Sequence, residues 1–227
     1  MPAAVRNVST ALGSPVLSVP PGTTQRDLLV AFLASEAELQ SSPVTITGGW
    51  TPLATRSTRV GTVNTPSGII GVQAWWKTAS ASESSYTISD VTEWTVAAAV
   101  AITDADTPTA SSSVANSTNG TRTGTSPAAP TPATTSLALR WIAGDNYSED
   151  ANRTWTNITT ELADLEVDYL AAQLVARTTG HDATLTHTVS ANLYAWAAIT
   201  VAIPDAPVFA PSQPLAPSGA AMRASIW

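Results

Sequence analysis

The sequence predicts an all-β protein, an antiparallel β-sandwich built from two related halves. Residues 93–102 form a short apolar run that returns in similar form at residues 193–203. In both copies an aromatic residue precedes an Ala/Val stretch, which ends in Ile at a turn, Thr103-Asp104 in one copy and Pro204-Asp205 in the other. The larger side chains of each copy stand two residues apart, which is the period of a pleated strand rather than of a helix.

The residues that precede the two copies also correspond. The apolar stretch at 27–34 matches the stretch at 136–143, and the Trp-Thr pair at 50–51 matches the pair at 155–156. A nearly continuous apolar strand is typical of a strand that is covered on both of its faces. We therefore expect two copies of one strand plan, each with a central strand buried on both sides.

A segment rich in Ser, Thr, Pro, Asn and Gly separates the two copies. It contains almost no large apolar side chain after Val114, and such a composition is typical of loops and linkers. The sequence thus predicts one sandwich over residues 1–205, with halves at about 1–104 and 136–205 and a Ser/Thr/Pro-rich loop at 105–135 between them.

Further strands of the first half follow from local patterns. Loose alternation over residues 5–19 predicts the first strand, and Pro20-Pro21-Gly22-Thr23 predicts the turn after it, because Pro sets φ and Gly accepts a left-handed conformation. Residues 69–78 read IIGVQAWWKT and predict another strand. Its adjacent Trp75 and Trp76 must point to opposite faces of the sheet.

Residues 161–177 carry two conflicting signals. Their composition favours a helix, and Leu162, Leu165, Tyr169 and Leu170 would form one helical stripe. The position of the segment in the repeat, however, requires a strand. We predict a strand over 161–177, with a helix as the open alternative.

The amino-acid composition changes after residue 205. Residues 206–227 combine several prolines with Ala and Ser, so they cannot form a sheet and should be extended. Two interpretations are open: a disordered terminus, or a docking arm whose large apolar side chains anchor it to a partner. In the second interpretation the partner-binding residues are Phe209, Met222, Arg223, Ile226 and Trp227.

Composition excludes several classes of function. Charged residues make up 12% of the chain, about half of the roughly 25% of an ordinary globular protein. The net charge is −7 and Lys77 is the only lysine, so no basic patch is expected for nucleic acid or for an anionic membrane surface. There is no cysteine, which excludes disulfides and Cys-based metal or redox sites.

No membrane or secretion signal is evident either. The N-terminal residues are not followed by the apolar core of a signal peptide, and no apolar run approaches the ~20 residues that span a bilayer. We therefore expect the protein in a bacterial cytoplasm or in a particle assembled there.

The order of these features resembles a family of repetitive β-sandwich modules in tailed bacteriophages of actinobacteria. The resemblance covers roughly residues 15–203 and leaves the Pro-rich arm outside. It implies a jelly-roll-like sandwich of a virion surface protein, of the minor tail or tail-fibre type, and it implies no active site. The matching residues are Val19-Pro20-Pro21-Gly22-Thr23, the strand DLLVAF at 27–32, Gly49-Trp50-Thr51-Pro52-Leu53, Tyr86-Thr87 and Trp94 with its Ala-rich strand.

Candidate catalytic acids are few. Glu166 and Asp168, joined by Asp164, would share one face of a strand, and a glycoside hydrolase needs two acids placed about 5–10 Å apart. The pattern is similar to the E-x-D-x-x-E strand of laminarinase-type jelly rolls, but apolar residues at 170–172 stand where the third acid should be. A solvated strand face is the favoured interpretation, so we predict no catalytic residue and no enzyme.

Nucleophilic and metal sites are no better supported. His181 and His187 are the only histidines, and no serine lies in a G-x-S-x-G elbow. His187 alternates with apolar neighbours, which predicts a surface or half-buried strand residue. Asp145, Glu149 and Asp150 match no known calcium-loop spacing, so we expect no metal and no cofactor.

The eight tryptophans suggest one further class of function, carbohydrate binding, because exposed indole rings stack on sugars. Most of them also fit core or rim positions of strands. Of the adjacent pair, one ring should face inward and the other is a candidate exposed surface. Trp75 and Trp76 are therefore the candidate glycan or partner surface.

These observations predict a non-enzymatic structural component of a tailed-phage virion. Low charge favours close packing in a symmetric assembly of many copies, so we expect a homo-oligomer in contact with other virion proteins. A minor tail, tail-tip or fibre protein with possible contact to a host surface glycan is the first interpretation. A capsid decoration protein is the second, and a carbohydrate-binding module without a virion role is the alternative class.

Overall fold

The protein is an all-β sandwich of two antiparallel sheets, as the sequence predicts. A computed structural model describes residues 1–36, 39, 43–59, 69–89, 95–130, 135–145, 155–156, 161–167, 170–179 and 183–207. The described residues include no helix, and therefore none that is long and apolar enough to cross a membrane. The docking-arm residues Phe209, Met222, Arg223, Ile226 and Trp227 lie outside the described part of the chain.

Thirteen strands are described. Those of the first half are β1 (Ala4–Leu12), β2 (Val16–Leu17), β3 (Leu28–Ser35), β4 (Thr51–Arg59), β5 (Ile69–Thr78), β6 (Tyr86–Thr87) and β7 (Thr95–Thr103). Those of the second half are β8 (Thr109–Ser126), β9 (Thr135–Asp145), β10 (Trp155–Thr156), β11 (Glu161–Val167), β12 (Leu170–Arg177) and β13 (Leu185–Pro204).

Each half of the chain forms one sheet, and the two sheets have the same strand order. The first sheet runs β1-β7-β3-β5-β4, and the long strands of the second run β8-β13-β9-β12-β11, with the short β10 also paired to β13. If the long strands of each half are numbered in chain order, both sheets read 1-5-2-4-3. The two related halves of the sequence are thus two copies of one topology that face each other across the sandwich.

The pairing register identifies matching positions in the two sheets. Leu33 pairs with Gln73 and with Ala97 in the first sheet. Ile142 pairs with Gln173 and Ala198 at the same place in the second sheet. This register aligns the two apolar stretches and the two Ala-rich strands as the sequence repeat predicts, and it makes Phe32 the counterpart of Trp141.

The main core lies between the two sheets. Alternate residues of each central strand point into it, and Val30, Phe32, Leu139 and Trp141 are fully buried there. The Ala residues of β7 and β13 take part in the same packing, where their small side chains leave room for the large rings. Every residue of β3 is buried, which confirms that this strand is covered on both faces.

A small outer layer covers the far face of the first sheet. β2 pairs with β6, and an isolated bridge joins Ile46 to Ile88. Leu17 and Ile88 from this layer pack on Leu33 and Trp75 of the sheet. Burial of a large apolar side chain contributes about 1.5–3 kcal/mol, so this second, smaller core adds to the stability of the first sheet.

The far face of the second sheet is covered by its own edge strand, which folds back. The hydroxyl of Ser113 donates to the carbonyl of Thr125, twelve residues later, at 3.0 Å, and that of Ser111 donates to the carbonyl of Ala128 at 2.6 Å. A Cβ placed on Gly124 would lie 2.6 Å from Cδ1 of Ile142. A larger residue at this position would require the end of the Ile142 side chain to shift.

The prediction of a loop over residues 105–135 is wrong. Residues 109–126 form β8, which pairs with β13 along nearly its whole length. Ser and Thr are compatible with strands, and an edge strand does not need the large apolar side chains that the sequence analysis looked for. Its hydroxyls are used instead to bind the carbonyls of the returning segment.

The prediction of strands over 161–177 is confirmed for the described residues, which form β11 and β12. In β11, Ala163 and Leu165 are buried whereas Glu161, Asp164 and Glu166 are exposed. The helical composition is overridden because β12 lies between β9 and β11 in the sheet, where its Ala and Leu side chains are buried on both faces.

Hydrogen bonds hold the chain at residues 205 and 206, where it leaves the sandwich. Asp205 bridges to Ala105, and its Oδ1 accepts a hydrogen bond from the backbone N–H of Ala3 at 2.7 Å. The N–H of Ala206 donates to the carbonyl of Asp104 at 2.7 Å. The first strand, the connection between the halves and the start of the 206–227 segment therefore meet at one end of the sandwich.

Candidate functional site

A cluster of buried polar residues lies under the folded-back strand on the second sheet. Arg140, Gln173, His187 and Thr200 are all completely buried, and so is Ser126. The positions that match Arg140 and Thr200 in the first sheet hold Ala31 and Ala99, which belong to the apolar outer core there. The two halves thus share a topology but differ in the polarity of their outer layers.

The cluster is a continuous hydrogen-bond network. Ser126 Oγ lies 2.9 Å from His187 Nε2, and His187 Nδ1 lies 3.3 Å from Gln173 Oε1. Arg140 donates from Nη1 to Ser126 Oγ at 3.2 Å and from Nη2 to the carbonyl of Ala183 at 2.6 Å. Buried polar groups are tolerated when they are paired in this way.

A Ser–His–Gln chain of this kind has the outline of a nucleophile–base pair, but its setting prevents that chemistry. Burial and the Arg140 cation lower the pKa of His187 from its usual 6.5 to about 3. The neutral ring satisfies both neighbours, with Nδ1 donating to Gln173 and Nε2 accepting from Ser126. A nucleophile must touch its substrate, and neither Ser126 nor His187 is exposed. The network is therefore structural.

The prediction that His187 is a surface or half-buried residue is wrong, because this part of β13 pairs with the returning end of β8 and His187 packs against Gln173 and Arg140. A signal for the cluster was present in the sequence. Arg140 stands alone in the apolar strand SLALRWIA, and a charge inside a strand buried on both faces requires partners from elsewhere.

Of the candidate acids, the structure describes Asp145, Asp164 and Glu166. Asp164 and Glu166 lie on the exposed face of β11, as expected for a solvated strand face, and Asp168 lies outside the described residues. Asp145 is buried at the end of β9, whereas Glu149 and Asp150 also lie outside. Among the residues that the structure describes, no group of three or more His, Asp or Glu side chains could hold a metal ion.

The adjacent tryptophans point to opposite faces of the first sheet, as a strand requires. Trp75 faces the outer layer of the first sheet, where it is only 2% exposed. Trp76 faces the other way and packs, half-buried, against the core between the sheets. The ring of Trp75 is covered by β2, β6 and the 43–50 segment, so Trp76 is the more accessible of the two.

Trp50, which the sequence placed at a strand opening, is held by a polar cluster around Lys77. Its ring meets that of Tyr86 edge to face, with centroids 4.9 Å apart, and Lys77 Nζ lies 6.0 Å from the Trp50 ring centroid. Lys77 donates to the carbonyl of Gly48 at 2.7 Å and forms an ion pair with Glu83 at 3.0 Å. These contacts fix the segment that leads into β4.

The carboxylate of Glu83 is the centre of this cluster. Burial works against its charge, but hydrogen bonds from the Ser80 backbone, Tyr86 and Lys77 outweigh burial and lower its pKa from 4.5 to about 2. Burial and the same carboxylate raise the pKa of Tyr86. The phenol therefore remains a hydrogen-bond donor to Glu83, at 2.7 Å, throughout the physiological range of pH.

A cavity of about 210 Å³ lies beside this cluster, on the outer face of the first sheet. It is bounded by the 43–46 segment, by the start of β4 and by the middle of β5. Within it, Trp50 and Trp75 come together with Gln73, a combination that the sequence analysis did not predict. The lining residues are Pro43, Val44, Thr45, Ile46, Trp50, Pro52, Gln73 and Trp75.

No known protein family, curated protein sequence or solved structure gives a significant match to this chain.

Proposed function

We propose that this chain is a non-enzymatic structural protein of a tailed-phage virion, of the minor tail, tail-tip or fibre type. In this role it binds neighbouring virion proteins, including further copies of itself, through the 206–227 arm. The proposal rests on the resemblance of the strand and turn pattern at 15–203 to virion modules and on the low charge of the chain. The sealed Ser126–His187 pair is consistent with a role that involves no catalysis.

One structural observation supports the docking role of the arm most directly. Residues 205 and 206 are held by hydrogen bonds to Ala3 and Asp104 at the end of the sandwich. The arm therefore starts from a fixed point of the sandwich, at the end where the first strand and the connection between the halves also meet.

The location is tested on particles purified by density gradient from lysates of a bacterium that carries the gene. We expect the chain to copurify with tailed particles and gold-labelled antibody to mark the tail. Label on the head surface would replace the tail assignment with that of a capsid decoration protein. Absence of the chain from purified particles would contradict a virion role altogether.

The role of the arm is tested by measuring how much of the protein is incorporated into particles. We expect a chain that ends at Asp205 and a Trp227→Ala variant to keep the β-sheet circular dichroism of the full chain but to be lost from particles. Leu12→Ala is the matched control, because Leu12 is an apolar residue of the sandwich surface that is 51% exposed. Normal incorporation of both arm variants would show that the sandwich itself makes the contact.

A further inference from the structure

The cavity on the outer face of the first sheet has the form of a small binding site. Its rim consists of exposed residues, among them Pro43, Thr45 and Pro52. Its floor consists of buried residues, of which Trp75 is 2% exposed and Gln73 is 3% exposed. At about 210 Å³ it is smaller than the roughly 300–1,000 Å³ of pockets for drug-sized ligands, so it would take a molecule of about one ring.

The side chain of Gln73, in the floor of the cavity, has a hydrogen-bond acceptor that no described residue pairs. Its Nε2 donates to the carbonyl of Val44 at 3.1 Å, but its buried Oε1 has no hydrogen-bond partner among the described residues. A buried polar atom left unpaired costs about 1–3 kcal/mol. In a native fold such an atom calls for an explanation, and a bound ligand or an ordered water is the usual one.

The matching glutamine of the second sheet shows what this position requires. Gln173 donates from Nε2 to Glu161 at 2.8 Å, and its Oε1 pairs with Nδ1 of His187 at 3.3 Å. Both ends of that amide are therefore satisfied within the chain. In the first sheet, the described residues pair the same amide at one end only, and an open cavity lies beside it.

Trp50, in the wall of the same cavity, carries a second polar group without a partner among the described residues. Its indole Nε1–H is buried and has no hydrogen-bond partner among the described residues, although a buried tryptophan usually finds one. The contacts to Tyr86 and Lys77 hold the ring in place. The lining residues thus carry one donor and one acceptor that no described residue pairs, among mostly apolar side chains and Thr45.

The polar and apolar groups of the lining indicate the chemical class of the ligand. No residue of the lining is charged, so a charged ligand would lose its hydration without compensation. A hydroxyl group both donates and accepts, and can therefore serve Gln73 Oε1 and Trp50 Nε1 alike. Neighbouring hydroxyls on a ring with an apolar C–H face match the two polar atoms and the indole and proline walls together.

We propose that this cavity binds one residue of a neutral saccharide, with a hydroxyl donating to Gln73 Oε1, another accepting from Trp50 Nε1, and the C–H face of the sugar against the apolar walls of the cavity. The site is independent of the virion role proposed above, since it requires only the first sheet and its outer layer. It lies on the face of β5 opposite to Trp76.

The test is a titration of the full chain, labelled with ¹⁵N, by D-glucose, D-galactose, D-mannose, N-acetyl-D-glucosamine and L-rhamnose. The readout is the indole N–H signal that disappears in Trp50→Phe. For at least one neutral sugar we expect a saturable shift with a Kd on the order of 1 mM, corresponding to a few kcal/mol for a single ring. Glucuronic acid and glucosamine serve as charged comparisons and should bind more weakly.

Two variants remove one polar group each. Gln73→Met eliminates the acceptor and Trp50→Phe eliminates the donor, and each should weaken binding by about 3- to 10-fold, the value of one hydrogen bond. In Trp50→Phe, binding is followed by saturation transfer to the sugar. Trp76→Phe is the matched control, because the same substitution falls on the opposite face of β5 and should leave the Kd unchanged.

Three results would overturn the proposal. One is the absence of saturable binding by every neutral sugar up to about 100 mM, well above a millimolar Kd, with ordered water on Gln73 Oε1 and Trp50 Nε1 in a crystal structure. The second is equal loss of binding in Trp76→Phe and Trp50→Phe. The third is tighter binding of the charged sugars than of the neutral ones.

Discussion

The ring of Phe32 stacks on the ring of Trp141 at the centre of the sandwich, with centroids 5.8 Å apart and planes inclined by 23°. The two residues occupy matching positions in the two sheets, and Trp141 Nε1 also donates to the carbonyl of Leu33 at 3.3 Å. The halves of the chain are therefore joined by a contact between two copies of the same position. We therefore expect the stability of one sheet to depend on that of the other through this contact.

Phe32→Ala and Trp141→Ala should each lower the free energy of unfolding by about 3–5 kcal/mol, because each leaves a large cavity in a fully buried site. Urea denaturation measures the loss. The double variant should lose less than the sum, with a coupling of about 0.5–1.5 kcal/mol from the stacked rings. Strict additivity would mean that the two rings are not energetically coupled.

His187 should make the protein sensitive to mild acid. Its pKa is about 3 in the folded protein and about 6.5 in the unfolded chain, so the unfolded state binds more protons between these values. The stabilisation is complete above pH 6.5 and is lost as the pH falls toward 3, by about 1.4 kcal/mol near pH 5.5. Denaturation curves at several pH values measure it.

The variant His187→Gln should remove this dependence on pH, although the loss of a network member lowers stability at every pH. His181→Gln is the control. It should keep the dependence of the free energy of unfolding on pH that the original protein shows. If the slope between pH 6.5 and 5.5 is the same with and without His187, the buried neutral imidazole is not its source.

Glu83→Gln should destabilise the protein at neutral pH. The folded pKa of Glu83 is about 2 against an ordinary 4.5, and a difference of this size corresponds to about 3 kcal/mol. Because the pKa is lowered, this stabilisation is present above pH 4.5 and is lost as the pH falls toward 2. Thermal unfolding of the original protein and of Glu83→Gln, at neutral pH and at pH 3, measures the loss of stability and its dependence on pH.

The control for this variant is Glu166→Gln, which changes an exposed acid on β11. Surface substitutions of this kind usually change stability by less than about 0.5 kcal/mol. In Glu83→Gln the indole fluorescence should also change, because Lys77 and Tyr86 lose the carboxylate that holds them against Trp50.

Gly124→Ala should lower stability by about 1–3 kcal/mol, the usual effect of overpacking. A Cβ at this position would lie 2.6 Å from Cδ1 of Ile142, which is completely buried and has little room to move. Combining Gly124→Ala with Ile142→Val removes that methyl group and should cost less than the two single changes together. A double variant with fully additive losses, measured by denaturation, would show that the clash lies elsewhere.

Local patterns in the sequence were sufficient for the apolar strands and for the repeat, but not for the Ser/Thr-rich strand β8. The apolar stretches 27–34 and 136–143 match in register, as do the Ala-rich strands, because burial on both faces imposes a continuous apolar pattern that is visible in one dimension. The β11–β12 region could be assigned only by its place in the repeat, because its composition favours a helix.

The candidate sites could not be derived in the same way. The sequence required Trp75 and Trp76 to point to opposite faces but could not tell which of them is buried, since exposure depends on which segment lies over the strand. The pairing of Gln173 with His187, and the side-chain carbonyl of Gln73 that no described residue pairs, follow from contacts that no local pattern encodes.

The amino-acid sequence by itself determined that the chain is β-structured, that its two halves follow one plan, and that a pleated period places alternate side chains on opposite faces. Only the tertiary structure decided that β8 folds back over the second sheet, that His187 is buried beside Ser126, 61 residues earlier, and that Trp50 borders a cavity. The physical reason is that periodicity is a property of neighbouring residues, whereas burial and hydrogen-bond partners are set by segments that meet only when the layers pack.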